Sequence, residues 1–305
     1  MEGKSLQELS RAEVAELVRS IGPKTCAFPI NGTRRWFLLE HPAARGENYA
    51  EEYRRVAGKR HLELYRLLFD HGIHTLLTPI FGPDLLERGE KYSAMATEGL
   101  AFLARNPDFL QFYRDYRVRV RFYGDYRRFF ASSSYDYLPD LFDAVTEETK
   151  SHDGCRLFFG VCADDATETI ARLAVQYYAE YGRVPTKRTL IELYYGEYIE
   201  SVDLFIGFDK FCAFDMPLVA TGNEDLYFTV SPSPYLGEQQ LRGILADHLY
   251  ARRSEAEDYS AMDSEDWRYM TAFYRTNMGK TLGVGTRRGR IWYPTPQVEL
   301  PVSDV

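Results

Sequence analysis

Short apolar runs alternate with longer amphipathic segments along the chain, and this alternation admits few architectures. Cys26-Ala27-Phe28 and the stretches 73–80, 117–123, 156–161 and 202–206 have strand character, with a further short element at 227–229. Between them, 47–70 carries Tyr53, Val56, Leu64, Leu67 and Leu68 among charges and stops before Gly72, as an amphipathic helix does. Helices are also expected at 83–116, broken near Asn106-Pro107, and at 167–181, 186–195 and 237–253. Ser10-Arg11-Ala12-Glu13 has the pattern of a capping box opening a short helix with Val14, Leu17 and Val18 on one face. The polar, acidic, partly helical stretch 132–152 is expected to be a mobile excursion. From Asp263 onward one more helix, a Gly283-Val284-Gly285 turn and an aromatic strand, Ile291-Trp292-Tyr293, close the chain. Strands and helices in alternation imply an α/β fold, a parallel sheet wrapped by helices.

The first strand breaks at Pro29-Ile30-Asn31-Gly32-Thr33 and delivers two adjacent arginines, Arg34 and Arg35, ahead of Trp36-Phe37. Asn-Gly accepts the backbone angles of a sharp turn, and a loop leaving a strand end can aim N–H groups and two guanidinium forks at one phosphate cluster. A diphosphate is the matching ligand; a surface hairpin with two solvated arginines is the alternative for the motif in isolation. The net charge of −8 argues against a nucleic-acid binder but not against a small anion. Charges beyond about 8 Å are screened at physiological salt, so the local arginine pair governs that loop. With 45% hydrophobic and 15% aromatic residues, the 305-residue chain can bury a sizeable core. No apolar run is long enough for a bilayer and no leader stands at Met1, so a cytoplasmic location is expected. Cys26, Cys155, Cys162 and Cys212 form no CxxC pair, which argues against zinc and a disulfide framework.

Four blocks in order resemble the cis-prenyltransferase (undecaprenyl diphosphate synthase-like) family: Asn31 to Trp36, Val118-Arg119-Val120-Arg121-Phe122-Tyr123-Gly124-Asp125, Val202-Asp203-Leu204-Phe205-Ile206 and Leu226-Tyr227-Phe228-Thr229. A narrower resemblance, to the bacterial tuberculosinol synthase and kolavelool synthase group, adds Phe69-Asp70-His71-Gly72-Ile73, Tyr195-Gly196-Glu197-Tyr198, Asp258-Tyr259-Ser260-Ala261-Met262 and Gly289-Arg290-Ile291-Trp292. It implies one domain over residues 1–305, with a core at about 24–253 and an extension, 254–305, contributing to the pocket. It also implies a diterpene synthase that ionises kolavenyl or tuberculosinyl diphosphate and captures the allylic cation with water. The product would be a kolavelool- or tuberculosinol-type alcohol, and the enzyme a homodimer. By position, Asn31, Gly32, Thr33, Arg34 and Arg35 match the diphosphate-binding loop, and Tyr53, Tyr92 and Trp292 match pocket aromatics. Such faces attract a cation by about 0.5–2 kcal/mol per ring without acting as nucleophiles.

Two departures qualify what the resemblance implies. Relatives carry aspartate where this chain has Asn31. An amide offers Mg²⁺ no negative oxygen, so the metal requirement is expected to be weaker, or met by the diphosphate with Asp225, which occupies the position of a metal-binding glutamate. Elongating relatives also place arginines and a serine near Gly207, Ala213 and Asp215 to hold a second diphosphate. Losing charge-assisted bonds worth about 1.5–3 kcal/mol each should abolish that site. A chain-elongating enzyme and a noncatalytic partner subunit remain the alternatives. Asp164-Asp165-Ala166-Thr167-Glu168 follows a strand and opens a helix, where acids cap and complement the dipole, and His71 and His74 are expected to be structural.

Overall fold

Strands β1 (Lys24–Ala27), β2 (Ile73–Phe81), β3 (Val118–Tyr123), β4 (Cys155–Val161), β5 (Leu204–Phe208) and β6 (Asp225–Thr229) form one parallel sheet in the order β3-β4-β2-β1-β5-β6. The computed structural model describes residues 5–22, 24–44, 48–82, 85, 89–131, 133–163, 165–252 and 262–295, with backbone alone at 90–92. Every residue of β1 and β5 is buried, because a parallel sheet covered on both faces leaves its central strands no solvent side. Lys24 escapes an uncompensated burial by pairing with Asp203 at 3.4 Å, and the second Asp203 oxygen accepts the Thr25 N–H at 2.7 Å. The edge strand β3 instead alternates, its Arg119 and Arg121 both reaching Glu197, at 3.1 and 3.3 Å.

The helices are α1 (Arg11–Ser20), α2 (Thr33–Glu40), α3 (Tyr49–Asp70), α4 (Glu90–Arg105), α5 (Pro107–Asp115), α6 (Tyr126–Phe130), α7 (Leu138–Thr149), α8 (Thr167–Tyr181), α9 (Lys187–Tyr195), α10 (Glu238–Ala246) and α11 (Ser264–Asn277). Alternate strand residues separate two cores. Cys26, Phe28, Leu76, Leu157, Leu204 and Ile206 face the helices α1, α3, α4, α5, α7 and α10. Ala27, Leu77, Phe158 and Phe205 face α9 and the segment with Met216 and Val219. The expected capping box forms, Ser10 accepting from the Glu13 N–H while Glu13 accepts from the Ser10 N–H. Asn106 ends α4 and caps α5, with Pro107 in its first turn. The carboxyl-terminal strand pairs as a hairpin, β7 (Gly285–Arg288) with β8 (Ile291–Pro294).

The sheet corrects the expectation for 132–152. Leu138, Phe142, Val145 and Thr149 form the buried face of α7, and Phe142 stacks on Phe122 of β3 at 4.0 Å between ring centroids. Thr149 Oγ1 accepts the Val120 N–H at 3.0 Å, which ties the helix to the sheet. Helix 237–253 is also divided: α10 passes into a π-helical turn at Asp247–Ala251, and Arg253 lies outside the described residues. Among the described residues no helix is long and apolar enough to cross a membrane.

Chain order places a switch at the centre of the sheet. β1 leads away to β2 on one side while β5, its neighbour on the other, leads to β6. Right-handed crossovers in opposite directions lie on opposite faces, so a crevice opens at the carboxyl ends of β1 and β5, where α/β sheets hold their ligands. If α7 is core, Phe142→Ala should lower the unfolding free energy by about 3–5 kcal/mol in urea denaturation. A loss under about 0.5 kcal/mol would return 132–152 to the surface.

Candidate functional site

Past β1 the chain turns within four residues. Phe28 extends the pairing with β2 through its N–H on Leu77 O at 2.8 Å, and the Asn31 N–H donates back to Pro29 O at 2.8 Å. Ser233, buried after β6, braces this turn: its Oγ accepts the Asn31 N–H at 3.2 Å and its N–H donates to Asn31 O at 3.0 Å. Arg60 on α3 in turn donates to Pro234 O at 2.7 Å and Leu236 O at 3.1 Å, locking the brace to the helix layer. Gly32 then adopts φ +76, and a Cβ there would stand 2.7 Å from the Phe208 ring and 3.0 Å from Pro232. Both the backbone angle and the close approach call for glycine.

Gly32 starts α2, so Thr33, Arg34 and Arg35 occupy the first helical turn rather than a loop. That is a correction with a consequence, because the positive end of the helix dipole now adds to the two guanidiniums. Gly32 supplies no side-chain cap to that end. Arg35 lies over the Phe208 ring at 5.2 Å and pairs with Asp209 at 3.2 Å. Thr33 Oγ1 donates to Ile30 O at 2.9 Å and lies 3.3 Å from His61 Nε2. Since the hydroxyl hydrogen is committed to Ile30, the network assigns the proton to His61 Nε2, which donates to Thr33. Burial, with the nearby charge of Arg60, pushes the His61 pKa down to about 4, so the ring is neutral at physiological pH.

His61, Ala57 and Tyr53 line one face of α3 and one wall of a cavity of about 190 Å³, closed by Ile80, Phe81 and residues of α4. Tyr53 packs edge-on against Phe37 at 5.3 Å and stacks on Tyr49 at 6.1 Å. An outer groove of about 510 Å³ shares Arg54, Gly58, Phe102 and Phe109 with this cavity. Phe102 fits between them because Gly58 has no side chain, a Cβ there standing 2.7 Å from the Phe102 ring. Arg54 pairs with Glu98 across the same divide.

The remaining expected residues separate into three groups. Tyr92 stands in the first turn of α4, with its side chain outside the described residues, as are Asp164 and 258–261; Asp165 accepts the Thr167 N–H at 3.2 Å, an end-capping contact. Trp292 meets Phe211 edge-on at 6.2 Å, and Phe211, two residues past Asp209, packs on Phe228 of β6 at 4.8 Å. Asp225 opens β6 opposite Leu204, at the amino end of the strands, where it takes His248 Nδ1 at 2.6 Å and Arg252 at 3.6 Å. Strands rise about 3.3 Å per residue, so Asp225 lies at the opposite end of the sheet from Asn31 and cannot share a metal with it.

Among the described residues no cluster of three or more His, Cys, Asp or Glu could hold a metal. The oxygen donors at the crevice are the Asn31 amide and the Asp209 carboxylate. Gly207 is closed to any side chain, since a Cβ would lie 2.7 Å from both Phe205 and Phe228. Asp215 is anchored elsewhere, its backbone carbonyl accepting from Tyr123 Oη at 3.0 Å. His61, Phe208 and Asp209 are the site residues that sequence reasoning missed. Only His61 left a signal, recurring at helical spacing after Tyr53 and Ala57.

The chain matches no family model. It is 41% identical to the tuberculosinyl adenosine transferase of Mycobacterium tuberculosis over 292 residues, 95% of this chain and 97% of the relative. It is 27% identical to the (+)-kolavelool synthase of Herpetosiphon aurantiacus over 285 residues, 91% of each. Its fold is that of the lavandulyl diphosphate synthase of Lavandula x intermedia, crystallised with dimethylallyl diphosphate, at a TM-score of 0.58 and 16% identity, covering 75% of this chain and 96% of that one. A probable undecaprenyl diphosphate synthase from Campylobacter jejuni superposes with a TM-score of 0.55 at 16% identity, covering 76% and 97%. The sheet and its flanking helices are thus the cis-prenyltransferase fold.

The depressed His61 pKa carries a sign. The unfolded chain takes up a proton near pH 6.5 that the folded ring refuses until about pH 4, so stability is full above that range and falls as pH drops through it. Buried His71 and half-buried His74, also lowered, act in the same direction. His61→Gln should therefore lose less unfolding free energy between pH 7 and 5 than the wild type, by on the order of 1 kcal/mol. Identical pH profiles in chemical denaturation would contradict a neutral, half-buried His61.

Proposed function

This chain belongs to the family of the tuberculosinyl adenosine transferase, and from that membership we propose that it ionises a bicyclic C20 prenyl diphosphate and captures the cation with water. The observation that carries the proposal is the placement of Arg34 and Arg35 on the first turn of α2, at the sheet crevice and beside a cavity walled by Tyr53. The diphosphate binds at the two guanidiniums and the α2 amino end. The allylic C–O bond breaks with its electron pair going to the diphosphate oxygen, and each 1.36 kcal/mol by which these groups stabilise the departing charge is a tenfold in rate. The aromatic face of Tyr53, stacked on Tyr49 and steadied by Phe37, attracts the hydrocarbon cation. Water adds to the tertiary allylic carbon and gives up its extra proton to solvent or to the departing diphosphate, leaving a tertiary diterpene alcohol of kolavelool or isotuberculosinol type, and addition at the primary carbon gives the tuberculosinol type.

The 41% relative favours a second reading, in which a nucleoside takes the place of water as the nucleophile. Chain elongation fits less well, because Gly207 lies under Phe205 and Phe228 with no room for a side chain that could hold a second diphosphate. Assembly as a homodimer is part of the proposal. Helix α8 buries none of its residues, and Val175 and Tyr178, 68% and 56% exposed, continue an apolar stripe from Ala171.

Arg34→Ala and Arg35→Ala should each cut turnover about a hundredfold or more with the circular dichroism unchanged. Ionisation at wild-type rate would sink the anion-site reading. In ¹⁸O-labelled water with kolavenyl or tuberculosinyl diphosphate, the alcohol should carry label, because the original oxygen leaves on diphosphate. An unlabelled primary alcohol would mean P–O cleavage, and products lengthened by isopentenyl diphosphate would mean elongation. For assembly, sedimentation should give a dimer for the wild type and a monomer for a Val175→Arg/Tyr178→Arg double variant. A monomeric wild type at micromolar concentration would refute the pairing.

A further inference from the structure

We propose that Asp209 is the metal-binding carboxylate of this site, holding a divalent cation such as Mg²⁺ against the bound diphosphate. The inference rests on the diphosphate reading of the crevice. β1 and β5 pair in parallel through Cys26 with Leu204 and Ala27 with Phe205. Asn31 and Asp209 each come four residues after a paired position, Ala27 and Phe205, so both lie past the carboxyl ends of β1 and β5. Contact supports this placement, because the backbone at Gly32 lies against the ring of Phe208, the residue before Asp209.

Asp209 has φ +71, a conformation that aspartate enters more readily than most residues, and its carboxylate reaches Arg35 at 3.2 Å. The pair is part-exposed, 40% and 34%, and as a structural ion pair it contributes little. Once Arg35 turns to a phosphate, the same carboxylate stands beside an anion whose charge two guanidiniums do not offset. A divalent cation between them removes that repulsion. Mg²⁺ fits the donors present: it is bound through one or two carboxylates together with substrate phosphates and retained waters, all hard oxygens, and the Asn31 amide oxygen is a further donor of that kind. The carboxylate needed beside the diphosphate thus comes from the β5 side of the crevice, where β1 ends in an amide.

Inorganic pyrophosphate, titrated calorimetrically at fixed free Mg²⁺ and without metal, tests the assignment, with Mn²⁺ paramagnetic resonance reporting protein-bound metal. In the wild type the metal should tighten pyrophosphate binding about tenfold. Asp209→Asn should bind pyrophosphate without metal at least as tightly as the wild type, having lost a repulsive charge, yet gain less than about twofold from metal and hold no Mn²⁺. Asn31→Asp in the Asp209→Asn background should restore the metal gain, since it returns a carboxylate to the same end of the sheet. An undiminished metal gain in Asp209→Asn, or no metal effect in the wild type, would overturn the proposal and leave the anion site intact. Failure of the wild type to bind pyrophosphate under either condition would overturn the anion site and this assignment with it.

Discussion

Gly32 has no room for a side chain, and the candidate site depends on that single close approach. Its backbone, in the left-handed region, presses against Phe208 of β5 and Pro232 in the turn after β6. A Cβ would push β1's turn away from β5 and β6. Ser233 would then lose its two bonds to Asn31, and α2 would start at another residue with Arg34 and Arg35 aimed elsewhere. The proposed anion site is therefore a property of three strand ends packed together. Arg60, bonded to Pro234 and Leu236, extends the same lock to α3, whose Tyr53 and His61 wall the cavity.

Much of the scaffold was legible because burial leaves a periodic trace. β1 and β5 read as short continuous apolar runs since helices or loops cover both faces, and β3 alternates because it is an edge whose arginines meet Glu197. The error at α7 came from weighing composition above period. Asp140, Asp143, Glu147 and Glu148 make the segment look solvated, while Leu138, Phe142, Val145 and Thr149 recur at helical spacing and are all buried. Helix α2 was hidden for a different reason. Its eight residues open with Thr33, Arg34 and Arg35, and its start is set by the conformation of Gly32.

The site was legible only where it is local. Arg34 and Arg35 stand out because they follow a strand and an Asn-Gly turn. Asp209 lies 174 positions from Arg35, and nothing short of the β1–β5 register brings them together. Matching by position with relatives meets a geometric obstacle at Asp225. Asp225 is in place along the chain, yet it begins its strand beside His248 and Arg252, far from the end where the arginines are. A sequence match transfers a residue's order in the chain, and its distance from the reacting atoms depends on which end of a strand it occupies.

Cavity volume adds a final constraint on the proposed chemistry. Ligand pockets usually span about 300–1,000 Å³, and the enclosed space beside Tyr53 is about 190 Å³. A bicyclic C20 skeleton that enters there must take up part of the outer groove, whose wall it shares through Arg54, Gly58, Phe102 and Phe109. Phe102 lines both spaces, and it rests on Gly58. The Arg54–Glu98 pair spans the same opening and is part-exposed, so breaking it costs little. Closure around the diphosphate end is rigid, fixed by Gly32, Ser233 and Arg60, whereas accommodation of the hydrocarbon falls to one aromatic ring and one surface ion pair. This division suits an enzyme that must hold the leaving group at a fixed point while admitting a bulky ring system.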